Sequence, residues 1–144
     1  MTTDQPITRY LGSAERTLRA LLDSMIAPAG LTFPEWVGLT ILSASGPLSQ
    51  AQLTGAFVQG KVIPEAEVAR VCNRLFERQL IEETDQGVKV TKAGGVLYTS
   101  LKAQVDAAVT ALQADLPAAD LDATRRVLVA VTERAESIRE RAAV

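Results

Sequence analysis

The sequence predicts a mainly α chain with one small β-hairpin, on three observations. Aromatic residues make up only 4% of a chain that is 47% hydrophobic. Its apolar mass is therefore largely Ala, Leu and Val, which favours packed helices over a β-sandwich. Apolar residues recur at three- and four-residue spacing along much of the length, and two short strand-like runs flank the turn sequence Asp85-Gln86-Gly87. At 144 residues the chain suits one domain with a well-buried core, or a domain plus an oligomerisation layer. The composition argues against disorder.

Ile7, Tyr10, Leu11, Ala14, Leu18, Leu21, Leu22 and Met25 line one face of a first helix, which Pro28 and Gly30 end. In LTFPEW, Thr32 and Glu35 stand at capping-box spacing and open a second helix, about Pro34 to Ser45, closed by Gly46-Pro47. Ser49 and Gln52 repeat that spacing for a short third helix with Leu53, Ala56 and Phe57 inward. After VQGKVI breaks the pattern, Pro64 suits the first turn of a fourth helix. That helix puts Val68, Val71, Cys72, Leu75 and Phe76 on one face and Arg70, Asn73, Arg74 and Glu77 on the other.

Leu80–Thr84 and Val88–Thr91 are the expected strands, joined by a three-residue loop with Gly87 in the left-handed region. Thr91 suits the cap of a long fifth helix carrying Leu97, Leu101, Val105, Ala108 and Leu112, stopped at Leu116-Pro117. Asp120 is the expected cap of a sixth, whose Leu121, Thr124, Leu128, Val131, Ala135 and Ile138 form a heptad seam. A lone hairpin is marginal in water and must lean on helices. Residues 31–91 thus make a winged helix–turn–helix, while the outer helices, in 1–30 and 92–144, have apolar faces larger than so small a core can cover. They are expected to form a dimerisation region.

The net charge of −2 and the near-balanced 15 basic and 17 acidic residues give no chain-wide attraction to phosphate, so any nucleic-acid surface must arise from local arrangement. With no histidine and a single cysteine, the usual zinc ligand sets and Ser/His or Cys/His nucleophile pairs are ruled out. Adjacent Glu82 and Glu83 on a strand point to opposite faces and cannot converge on a substrate. No catalytic residue, metal site, cofactor or enzymatic activity is therefore assigned. One cysteine forms no internal disulfide, no signal sequence is recognisable, and no apolar run reaches the roughly 20 residues of a membrane span. A cytoplasmic protein with no membrane partner is expected.

The element order, with GLTFPEW in the second helix, LSQAQL in the third, VARVCNRLFERQLIE in the fourth and VKVTKAG after the hairpin, resembles the MarR family of bacterial transcriptional regulators. The likeness covers nearly the whole chain and is most specific over Val68–Glu82. It implies a homodimeric, usually repressive regulator. Its fourth helices would enter successive major grooves of a pseudo-palindromic double-stranded DNA operator, and its wings would reach flanking minor grooves. It also implies that a small aromatic effector can release the DNA. Matched position by position, Arg70, Asn73 and Arg74 fall on the exposed side of the recognition helix, with Glu67 placed to accept from cytosine N4 and Lys61, Lys89 and Lys92 to hold phosphates.

Three features depart from the family pattern: a wing without arginine between Arg78 and Arg125, acidic Glu65 and Glu67 opening the recognition helix, and Gln79 where glycine normally ends it. They keep a second reading in view, in which the same fold serves as a protein-interaction module or co-regulator with weak or lost DNA binding. The ordinary alternative for the arginines is a solvated face with Arg70 paired to Glu67 and Arg74 to Glu77. Tyr10, Met25, Phe33, Trp36 and Phe57 are the candidate effector-binding residues, although such residues at helical spacing are more often simple core. Cys72 lies on the packed face, where burial raises a thiol pKa and makes a redox role unfavourable.

Overall fold

The computed structural model describes residues 5–143. Helices α1 (Ile7–Ile26), α2 (Phe33–Ser45), α3 (Gln50–Gln59) and α4 (Glu65–Glu77) precede strands β1 (Ile81–Thr84) and β2 (Gly87–Val90), followed by α5 (Lys92–Gln113) and α6 (Ala118–Ala142). One compact unit runs to Ala107 and a second begins at Ala108. No single described helix is long and apolar enough to cross a membrane.

Both expected capping boxes form. Thr32 Oγ1 accepts from the Glu35 amide while the Glu35 carboxylate accepts from the Thr32 amide, and Ser49 and Gln52 repeat the exchange. Glu35, though only 3% exposed, accepts through Oε1 from both the Thr32 amide and the Thr32 hydroxyl. In the first unit Ile26, Leu39, Leu53, Phe57, Leu75, Ile81 and Val88 are the most deeply buried side chains. Each contributes about 1.5–3 kcal/mol by leaving water.

The hairpin is one residue tighter than the sequence suggested. Thr84 pairs with Gly87, so Asp85-Gln86 alone makes the turn and Gly87 begins β2. Thr84 Oγ1 fixes the turn by accepting from the Gln86 amide at 3.2 Å and donating to the Gly87 carbonyl at 2.8 Å. Gly87 has φ 119°, beyond the left-handed helical well but still glycine territory. A Cβ there would lie 2.6 Å from the Leu48 carbonyl oxygen. Leu48 forms an isolated antiparallel bridge to Val88, with hydrogen bonds of 3.0 and 2.7 Å. The wing root is therefore a three-strand arrangement whose third member is a single residue.

Three helix ends differ from expectation. Pro64 is the cap residue of α4 instead of its first turn, so no side-chain oxygen closes that end. Pro117, not Asp120, occupies the cap position of α6, and the Asp120 carbonyl accepts from Thr124 Oγ1 instead. Gln79 itself takes the left-handed conformation, φ 57°, and the Leu80 amide returns to the Leu75 carbonyl at 3.0 Å. A side chain in that region costs about 1–2 kcal/mol. Gln79→Gly should therefore raise stability by about 0.5–1 kcal/mol after glycine's greater unfolded-state freedom is subtracted. A higher urea midpoint at unchanged m-value is the expected measurement.

Candidate nucleic-acid interface

Helix α4 has one buried face, Val68, Val71, Cys72 and Leu75, with Phe76 partly buried beside it. This face packs on α2 and α3. A 3.6-residue period then dictates what faces outward: Ala66, Arg70, Asn73 and Glu77 lie opposite the core, with Arg74 and Glu67 on one flank. Arg70, Asn73 and Arg74 are all exposed. Neither the Glu67–Arg70 nor the Arg74–Glu77 ion pair of the solvated-face alternative forms among the described residues. Both arginines therefore stand on the exposed side of α4 with no carboxylate partner among the described residues.

Glu65 and Glu67 occupy the first turn of α4. With no side-chain cap there, their carboxylates supply the negative charge that the helix N-terminus favours. They also put negative charge at a helix end that otherwise favours phosphate. Arg74 lies in the last turn, where a cation suits the dipole.

The basic residues around α4 are not equivalent. Lys61 follows α3 in the left-handed region, φ 55°, and Lys92 is the exposed first residue of α5. Lys89 faces Glu82 across the hairpin at 3.6 Å, both about half exposed, an ion pair worth at most about 1 kcal/mol. Arg78 is structural: its guanidinium donates to the carbonyls of Ala29 at 2.8 Å and Gly30 at 3.1 Å. It ties the end of α4 to the turn after α1, a role that sequence spacing did not reveal.

The effector candidates have separate surroundings. Phe57 is fully buried and Trp36 is 7% exposed, both core residues. The Trp36 ring lies 5.1 Å from that of Tyr98, a partner on α5 that sequence inspection missed. Phe33 lies under the Arg19 guanidinium, 3.4 Å from its ring centre, while Met25 is half-buried and Tyr10 is 47% exposed. Burial pushes the Cys72 thiol up, away from the reactive thiolate. No group of metal-ligating residues occurs among the described residues.

No protein-family model matches the sequence, and no curated protein does. Solved structures do. The Mycobacterium tuberculosis MarR family protein Rv2887 in complex with DNA is 26% identical, covering 89% of this chain and 98% of its own at a TM-score of 0.69. The same protein complexed with p-aminosalicylic acid aligns at 25% identity and 0.66 over 89% of this chain and 99% of its own. NadR with 4-hydroxyphenylacetate, at 19% identity and a TM-score of 0.72 over 92% of this chain and 99% of its own, has the same fold.

Proposed function

We propose that the chain is a MarR-type winged helix–turn–helix regulator, a cytoplasmic, homodimeric, DNA-binding transcription regulator that acts as a repressor, as its likeness to the MarR family protein Rv2887 supports. The observation that carries this reading is the exposed outward face of α4, where Arg70, Asn73 and Arg74 make no ion pair among the described residues. In a major groove, Arg70 has the paired donors for a guanine edge, and Asn73 has the donor and acceptor for an adenine edge. Glu67 would accept from cytosine N4, while Arg74, Lys61 and Lys92 would hold phosphates; Lys89 stands on the wing, across from Glu82. Rv2887 in complex with DNA supports this reading.

Dimerisation, through residues 1–30 and 92–144, rests on helices that bury too little alone. None of the 25 residues of α6 is buried, and Val127, Leu128, Val129 and Ile138 are all at least 40% exposed. A helix of this kind takes most of its stability from packing an apolar face. Sedimentation should give a dimer. Leu128→Glu with Ile138→Glu should shift it to monomer and abolish binding to paired half-sites.

A small aromatic acid is the proposed effector class, supported by the Rv2887 complex with p-aminosalicylic acid. Of the five candidate residues, exposed Tyr10 and half-buried Met25 and Phe33 are accessible to a ligand without opening the core. The second reading, a protein-interaction module, is favoured by Glu65 and Glu67 at the entry of α4 and by the short acidic wing. Titrating the purified protein with fragments of its own promoter at low and moderate salt separates the two. Sequence-dependent binding that survives moderate salt supports the regulator, and weak binding to every fragment supports the module.

A further inference from the structure

The wing of this chain is short and fixed at its root. Val88, fully buried and doubly hydrogen-bonded to Leu48, is anchored in the core. From Val88 to the Gln86 tip is two residues, about 7 Å at strand spacing. The register Thr84–Gly87 and the Thr84 hydroxyl bonds hold the turn closed at that length. Glycine at position 87 lets the Leu48 carbonyl come close enough to block a Cβ, so the strand cannot slide outward without losing the bridge.

The charge on this short projection is negative. Glu82, Glu83 and Asp85 stand on β1 and the turn, and no lysine or arginine lies between Arg78 and Lys89. Of the two basic residues that frame it, Arg78 is engaged with Ala29 and Gly30 and Lys89 with Glu82.

We propose that the wing is a repelling element: it makes no minor-groove contact, and Asp85 at its tip opposes the flanking phosphates, so that α4 alone sets sequence preference. This rests on the DNA-reading assignment of α4. An operator for this protein would then be short on each side, with no preference for A·T pairs beyond the major-groove contacts of Arg70 and Asn73. The acidic tip weakens binding to DNA of any sequence, which leaves base contacts a larger share of the affinity that remains.

The test uses the full-length protein and a duplex that it selects from a random-sequence library. Exchanging flanking A·T pairs of that duplex for G·C should change wild-type affinity by less than about twofold, and hydroxyl-radical cleavage should show no protected minor groove outside the α4 contacts. Asp85→Asn should tighten binding about threefold at low salt, with the gain fading as salt rises. Flank protection, a flank-sequence preference, or weaker binding by Asp85→Asn would overturn the proposal while the loss caused by Arg70→Ala remained. If no duplex is enriched and neither Arg70→Ala nor Asp85→Asn alters binding, the DNA-reading assignment falls and this inference with it.

Discussion

Replacing Gly94 with alanine is expected to destabilise the fold by about 3 kcal/mol, at the top of the range for overpacking. A Cβ at this position would sit 2.1 Å from the Leu80 carbonyl oxygen and 2.8 Å from a Val90 methyl. The near atom is backbone, and it is already committed, because the Leu80 carbonyl accepts from the Thr91 amide at 3.0 Å. Thr91 in turn caps α5 by accepting from the Gly94 amide, and donates to the Gln79 carbonyl at 2.6 Å. One methyl group would thus push apart the end of α4, the base of the hairpin and the start of α5 together. Thermal unfolding should fall by roughly 10 °C. Gly95→Ala is the control: nothing lies within 4 Å of its added Cβ, so a helical alanine there should stabilise by about 0.5–1 kcal/mol. Equal losses in both variants would show that helix starts, not the Leu80 approach, govern this junction.

That contrast marks what the sequence can disclose. Capping boxes at Thr32/Glu35 and Ser49/Gln52 are local patterns whose partners lie three residues apart, and both were legible. The division of α4 into a core face and an Arg70-Asn73-Arg74 face follows from periodicity alone. The Leu48–Val88 bridge joins residues forty apart; its one sequence signal is an apolar residue before the capping Ser49, a placement equally suited to a hydrophobic staple. Arg78 reads as one more surface arginine until Ala29 and Gly30 present their carbonyls. Gln79 breaks the usual preference for glycine in the left-handed region, because closure of α4 through Leu80 demands that conformation whatever residue occupies it. Residue type and rough proximity point to the effector candidates but cannot separate a core Phe57 from a surface Tyr10.

Arg70→Ala and Arg74→Ala should weaken DNA binding for different reasons, and their difference tests the interface. Both side chains are exposed and make no ion pair among the described residues, so truncation should leave stability within about 0.5 kcal/mol of the parent. Arg70 lies near the direction opposite the core, where a side chain reaches base edges. Its loss should cost about 1–3 kcal/mol on the selected duplex and relax the preference at one base pair. Arg74 lies on the flank beside Glu67. Its loss should weaken binding to every sequence alike and reduce the salt slope by about 1, the signature of a single phosphate contact. Arg70→Lys separates charge from shape: a lysine keeps the attraction to DNA but cannot make the two parallel hydrogen bonds to guanine, so affinity should fall mainly on the preferred sequence. Because the two arginines stand one turn apart and address different partners, the double variant should lose nearly the sum of the single losses, with coupling below about 1 kcal/mol. If neither single variant changes affinity for the selected duplex, α4 is not the reading element and the outward arginines are only a solvated face.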